Sequence, residues 1–361
     1  MSAQSSRNDL LRYGIIGTGM MGCEHILNIG LIPDARVTAI ADPNETSRGW
    51  GKSLAGDGVE VYADYRELLQ RAPVDVVVIA SPNFTHFDVL QDVFQTHKHV
   101  LVEKPLCTDI DDCHLVMNAA VHHPGVVWVG MEYRYMRAVS KLIESVHTGD
   151  IGRLWMLAIR EHRLPFLTKV DNWNRFARNT GGTLVEKCCH FFDLMNLITR
   201  QRPVRVYGSG GQDVNHLDER YAGETPDILD NAYVIVDFDH GTRALLDLCM
   251  FAENSTNEVE LAVTGDRGKA EVHIPAHRFI LTHRDGRPAE VQVFDLDQRL
   301  QGAGAHHGAT YFEHLAFIDA IRNGRKPTVS VEDGALAVAV GAAAERSIVE
   351  QRPVELGELG F

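Results

Sequence analysis

Tyr13-Gly14-Ile15-Ile16-Gly17-Thr18-Gly19-Met20-Met21-Gly22 decides how the chain is read. An apolar run, Tyr13–Gly17, reads as a strand and passes through a glycine turn into a helix that begins near Met20. Gly17, Gly19 and Gly22 fall on the GxGxxG spacing, in the strand–turn–helix context it requires. Gly17 permits the tight turn, Gly19 lets the backbone approach a pyrophosphate, and Gly22 lets helix and strand pack closely. The pyrophosphate would sit on the helix N-terminus, where free N–H groups and the dipole favour negative charge. Asp42 stands at the end of a second β-rich run, Val37–Ala41, 20 residues past Gly22. An acid there binds the adenosine ribose hydroxyls and repels a 2′-phosphate, which predicts NAD over NADP. Arg48, close behind, is the one residue that could serve NADP. The cofactor contacts of this first crossover are assigned to Gly17, Gly19, Met20, Met21, Gly22 and Asp42.

The alternation continues outward from this unit. Val74–Ala80 is nearly continuous Val and Ile, as a strand buried on both faces should be. His86–Thr96 reads as helix, His99–Val102 as strand, Asp109–Ala120 as helix and Val126–Met131 as a last strand. Strand–helix alternation of this kind predicts βαβ units on a parallel sheet. The pattern then changes. Asp239-His240-Gly241, Gly265-Asp266-Arg267-Gly268 and Arg284-Asp285-Gly286 are turn signals between paired β-rich runs. Three such hairpins predict an antiparallel sheet, with helices expected at Thr183–Thr199, Ala309–Asn323 and Glu332–Val349. The fold class is therefore α/β: a dinucleotide-binding domain over residues 1–132, then an α+β domain over 133–361 built on an open, mainly antiparallel sheet.

Composition bounds the partners. The 361 residues carry 35 Lys+Arg against 49 Asp+Glu, a net charge of −14 with histidine neutral. Nucleic acid is excluded as a general partner, because phosphate neutralisation needs clustered Lys and Arg. No apolar run approaches the roughly 18–20 residues of a membrane span. Met1–Asp9 is polar and lacks an apolar signal core, so a cytoplasmic location is expected. The six cysteines fit neither a disulfide framework nor a CxxC zinc site, and no metal is expected.

Two further stretches carry chemistry. His99–Pro105 places Glu103, Lys104 and Pro105 at the carboxyl end of a predicted parallel strand, where open α/β sheets bind ligands. A lysine there can polarise a substrate hydroxyl. In Gly181–Asp193, Glu186 and His190 are four apart and share a helix face, with Asp193 three beyond. A carboxylate one turn from a histidine can orient the ring for general acid–base work.

With these motifs in order, the chain resembles the Gfo/Idh/MocA oxidoreductases, the glucose–fructose oxidoreductase and inositol dehydrogenase group. Ser81-Pro82-Asn83-Phe84-Thr85-His86 resembles that family's (T/S)PNxxH segment, Glu103-Lys104-Pro105 its EKP motif, and Gly181–Asp193 its GGxxxDxxxHxxD segment. The resemblance runs from about residue 11 to the end. It implies a catalytic group of Lys104, Glu186 and His190. It also implies further cofactor contacts from Ser81, Asn83, His86, Glu103 and Lys104, with Asn83 and His86 near the nicotinamide. Glu186 replaces the family's usual aspartate, and Lys187-Cys188-Cys189 replaces a stretch that commonly contains glycine.

The stretch Arg160–Gly182 is basic within an acidic chain, and the resemblance places part of it beside the substrate. Arg163, Trp173, Asn174, Arg175, Lys187 and His190 are the candidate substrate contacts. Trp173 could stack on a sugar, and the cations could hold a carboxylate, phosphate or sulfonate. The same charges could equally form a solvated basic loop or an intersubunit ion-pair patch. His306 and His307 lie in a Gly-rich loop before a helix, with no acids adjacent in sequence. The resemblance implies an NAD-dependent dehydrogenase of a sugar, glycoside or polyol, assembled as a homodimer or homotetramer. Its alternative is an NAD-dependent glycoside hydrolase acting on an anionic glycoside such as a sulfoquinovoside.

Overall fold

The computed structural model describes residues 10–361; the polar N-terminal stretch lies outside the described residues. The chain divides into two compact units. The first holds a six-stranded sheet: β1 (Leu11–Ile16), β2 (Ala35–Ala41), β3 (Glu60–Tyr62), β4 (Val76–Ile79), β5 (His99–Glu103) and β6 (Val127–Gly130). Their order is β3-β2-β1-β4-β5-β6 and every neighbouring pair is parallel. The Val/Ile run becomes β4, which is fully buried between β1 and β5. The crossovers are α1 (Met20–Gly30), α2 (Glu45–Ala55), α3 (Tyr65–Arg71), α4 (His86–Val93) and α5 (Ile110–Ala120). The order reverses between β1 and β4, so the carboxyl ends of these strands flank the switch point at which such sheets bind ligands.

The second unit is built on a nine-stranded mixed sheet. Its strands are β7 (Leu154–His162), β8 (Pro203–Gly211), β9 (Asn231–Phe238), β10 (Arg243–Cys249), β11 (Val259–Gly265), β12 (Gly268–Ile274), β13 (Arg278–His283), β14 (Glu290–Val293) and β15 (Val354–Glu355). They run β14-β13-β12-β11-β7-β10-β9-β8-β15, antiparallel throughout except for the parallel pair β7–β10. The three expected hairpins are present as β9–β10, β11–β12 and β13–β14. Its helices are α6 (Arg137–Thr148), α7 (Ala177–Thr180), α8 (Thr183–Glu186), α9 (Cys189–Thr199) and most of α11 (Val331–Glu350).

Two expectations change. The unit boundary falls between Glu132 and Tyr133, but residues 296–334, with α10 (Ala309–Asn323), return to the first unit. The reason is polar as well as apolar packing. His314 lies 2.9 Å from His25 of α1, the Trp128 indole donates to Glu313 at 3.2 Å, and Asn28 donates to the Ala303 carbonyl at 2.6 Å. The helix expected over Thr183–Thr199 is broken into α8 and α9 at Lys187–Cys188. Glu186 and His190 therefore sit on successive helical pieces rather than on one continuous face.

Candidate active site

The glycine turn is built for a backbone-lined cradle. Gly17 has φ +87°, and a Cβ there would sit 2.6 Å from the Ala80–Ser81 backbone. A Cβ on Gly22 would sit 1.9 Å from the Gly17 carbonyl oxygen, so α1 can pack on β1 only with glycine here. Gly19, the N-cap of α1, faces open space, and the first turn of α1 contains no acidic side chain. A free helix N-terminus beside open space suits a pyrophosphate.

Asp42 is buried and shapes this turn itself. Its Oδ2 accepts from the Thr18 N–H at 2.7 Å and its Oδ1 from the Asn44 N–H at 2.8 Å. The carboxylate is thus fixed at the end of β2 with lone pairs left for hydroxyl donors. Arg48 donates to the Asp42 carbonyl at 2.7 Å and to the Pro43 carbonyl at 3.2 Å, which ties its guanidinium to the backbone.

Beyond β4, the Ser81 and Thr85 hydroxyls are 2.7 Å apart. His86 is fully buried, with Nδ1 at 2.8 Å from the Pro105 carbonyl and Nε2 at 3.0 Å from the Ser81 carbonyl. Burial lowers its pKa against those two carbonyls, so His86 staples the end of β4 to the turn after β5. Asn83 is buried and its Nδ2 has no hydrogen-bond partner among the described residues, a donor left available to a ligand. The Glu103 carboxylate points inward, with Oε1 2.9 Å from His25 Nε2, and Oε2 accepts from the Lys104 N–H at 3.2 Å. Burial opposes its ionisation, but the His25 hydrogen bond and nearby positive charge outweigh that and lower its pKa. Its Oε2 thereby holds the backbone of the half-buried Lys104.

The second unit holds Glu186 and His190, both buried. Gly181 and Gly182 have φ of +80° and +95°, and a Cβ on Gly182 would sit 2.3 Å from Glu345 Oε1. That contact is useful, since Glu345 Oε1 accepts from the Leu184 N–H at 2.9 Å and caps α8 from α11. Burial pushes the Glu345 carboxyl up to about 7. Tyr133 stacks face to face on His190, 4.3 Å between centroids and 5° between planes. Asp193 is locked by Arg134, whose Nε donates at 2.6 Å. Cys188 and Cys189 are buried thiols outside any disulfide among the described residues, and Cys189 Sγ donates to the Glu186 carbonyl at 3.6 Å.

The basic stretch is internally neutralised. Lys187 Nζ lies 2.8 Å from Glu161, a fully buried acid, and Arg163 Nη1 lies 3.5 Å from the same oxygen. Arg160 pairs with Asp247 at 3.2 Å and Glu260 at 3.3 Å, and Arg178 pairs with Glu224 at 2.6 Å. Arg175 is buried with its Nε donating to Glu219 at 2.9 Å. Asn174 is buried and donates to the Leu167 carbonyl at 3.0 Å, while Lys169 lies 5.1 Å above the Trp173 ring. These cations pair with acids of the same chain, a pairing that the readings as a substrate contact, a solvated loop or an intersubunit patch did not include.

Glu161, Tyr133 and Glu345 were not legible as site residues. Glu161 had one signal: it follows Leu157 and Ile159 in step, an acid on the inward face of β7. His306 does have acids beside it, Glu24 and Glu132, brought from elsewhere in the chain.

The sequence profile described as an oxidoreductase family NAD-binding Rossmann fold matches residues 11–131, and that of the family's C-terminal alpha/beta domain matches 143–356. The chain belongs to the Gfo/Idh/MocA oxidoreductase family. Myo-inositol 2-dehydrogenase of Thermotoga maritima is 28% identical, aligned over 97% of this chain and 99% of its own. The scyllo-inositol 2-dehydrogenase (NAD(+)) of Bacillus subtilis is 23% identical over 96% of both chains. A solved levoglucosan dehydrogenase, in complex with NADH and levoglucosan, shares the fold with a TM-score of 0.84 at 18% identity, covering 96% of this chain and 100% of its own. As a family member the chain carries an NAD-binding first unit. Among the described residues no helix is long and apolar enough to cross a membrane, and no group of three or more His, Cys, Asp or Glu is placed to hold a metal.

Proposed function

We propose that this protein is an NAD-dependent dehydrogenase that oxidises a secondary hydroxyl of a neutral cyclic polyol or sugar, of the kind its inositol dehydrogenase relatives are named for. The observation that carries the reading is Lys104, anchored through Glu103 at the carboxyl end of β5, in the unit whose glycine turn and Asp42 are shaped for NAD. NAD, when bound, accepts the hydride from the substrate carbon. Gly17, Gly19, Met20, Met21 and Gly22 hold its pyrophosphate, Asp42 its ribose hydroxyls, and the Asn83 amide donates toward the nicotinamide. Lys104 takes the hydroxyl proton, and the family resemblance gives His190 of the second unit an acid–base role. Glu186 orients His190, and the Tyr133 ring fixes its plane.

The ion pairs support a neutral substrate. Lys187, Arg163 and Arg175 each carry a carboxylate of their own, so burying an anionic substrate against them would require those pairs to break. The same pairing removes the feature that favoured an anionic glycoside and a redox-assisted hydrolase. Trp173 and Asn174 remain the substrate-facing candidates of this stretch. We further place the enzyme in the cytoplasm as a homodimer or homotetramer. Met156, Tyr207, Tyr233 and Ile235 stand exposed on one face of the nine-stranded sheet and offer an apolar surface for a second copy.

The test is Lys104→Ala, assayed with inositols, sugars and glycosides for both NADH and aglycone. The variant should bind NAD as the parent does and form no NADH. Near-normal turnover would refute the assignment, and aglycone release without net NADH would restore the hydrolase.

A further inference from the structure

The loop that carries His306 is fastened to the first unit by two carboxylates with opposite character. His306 Nδ1 lies 2.8 Å from Glu24 Oε1 on α1, and His306 Nε2 lies 3.4 Å from Glu132 Oε1, just past β6. Glu24 is also held by the Thr310 hydroxyl at 2.8 Å and the Ala305 N–H at 3.0 Å. The loop is moulded around it, since a Cβ on Gly304 would sit 2.1 Å from the Glu24 carboxyl carbon. Glu132 is 1% exposed, whereas the His306 side chain is 21% exposed. In the parallel register of β5 and β6, Glu103 pairs with Gly130, so Lys104 and Glu132 follow within two residues at the same carboxyl end of the sheet, where the Lys104 charge acts on the Glu132 carboxyl.

We propose that Glu132 and His306 form the exit path for the proton that substrate oxidation delivers to Lys104. The inference rests on the reading of Lys104 as a proton acceptor. Each turnover converts a secondary alcohol and NAD to a ketone, NADH and one proton. The O–H bond breaks and the proton bonds to Lys104 Nζ. It then moves to a Glu132 carboxylate oxygen, next to His306 Nε2, and the partly exposed imidazolium releases it to water. Glu24, accepting from Nδ1–H, keeps the Nε2 lone pair directed at Glu132.

The charges facing this path fit the role. Glu24 is drawn down to about 2 by its His306, Ala305 and Thr310 donors, against its burial. Burial pushes Glu132 up to about 7, with Glu103 reinforcing and His306 and Lys104 opposing. One acid is a permanent anion and the other exchanges a proton near neutrality, the separation expected where one orients and one carries.

The experiment compares Glu132→Gln, His306→Gln and His306→Ala in the intact enzyme, with Lys104→Ala beside them. Glu132→Gln should lower kcat by roughly tenfold or more at neutral pH with KM and NAD affinity little changed. His306→Ala should lose a similar factor and regain it as imidazole buffer concentration rises, and the solvent deuterium effect on kcat should grow. Should Glu132→Gln fail to fold, His306→Gln decides, since its amide can still donate to Glu24 but carries no proton. Full activity in His306→Gln, or loss in His306→Ala without buffer rescue, would overturn the path and leave a structural latch. If Lys104→Ala itself turns over, the underlying reading fails instead.

Discussion

Glu103 and Glu161 are both buried near the carboxyl ends of strands, yet they are neutralised in different ways. Glu103 is met by His25, which is backed at 2.9 Å by His314, and His314 in turn meets Tyr13 edge-on at 5.6 Å. Burial, with His25 adding to it, holds His314 well below its usual pKa. Glu161 is met instead by Lys187 at 2.8 Å and Arg163 at 3.5 Å. The first unit therefore meets its buried acid with histidine rings, while the second meets its own with cations held in pairs. The difference supports the proposal that the basic stretch is a scaffold rather than an anion receptor.

The sharpest way to break this contrast is Glu161→Ala. It strands the Lys187 ammonium in a buried site and should cost about 3–5 kcal/mol in denaturant unfolding. The double variant with Lys187→Met should recover most of it; no recovery would show that the pair is not the source of the cost. Glu103→Gln should cost less, about 1.5–3 kcal/mol, because it trades a charged hydrogen-bond acceptor for a neutral one.

Glu345 gives a pH-dependent comparison within the second unit. Its carboxyl is raised to about 7 from 4.5, so between those values the folded protein binds more protons than the unfolded chain. Stability should fall as pH rises through that window, by up to about 3 kcal/mol from this group. Glu345→Gln should flatten that part of the melting profile while still capping α8. The smallest effect belongs to Arg178→Ala. Its pair with Glu224 is more than half exposed, so the loss should stay below about 1 kcal/mol, with KM for a neutral substrate unchanged.

These residues also mark what could be read in advance. Gly17, Gly19, Gly22 and Asp42 act through backbone geometry close by in sequence, so their spacing carried both fold and cofactor. The hairpin turns were legible for the same reason. Arg163, Arg175 and Lys187 were visible as charges, but their partners Glu258, Glu219 and Glu161 arrive from other strands and loops, so their pairing was not. The break at Lys187–Cys188 sits in a stretch whose apolar spacing suits one helix. The return of residues 296–334 to the first unit depends on His25–His314 and Glu24–His306 contacts that span most of the chain. The short edge strand Glu60–Tyr62 and the helix Glu45–Ala55, interrupted by Gly49 and Gly51, lacked a clear period.

The central claim is a neutral polyol oxidised with NAD. The direct measurement is kcat/KM for NADH formation on matched substrates that differ only in charge, such as an inositol against its monophosphate and a hexose against its uronic acid. The account predicts turnover of the neutral member of each pair and much weaker turnover of the charged one. A consistent preference for the anionic members would contradict it, because the carboxylate partners of Lys187, Arg163 and Arg175 would then have to give way to substrate.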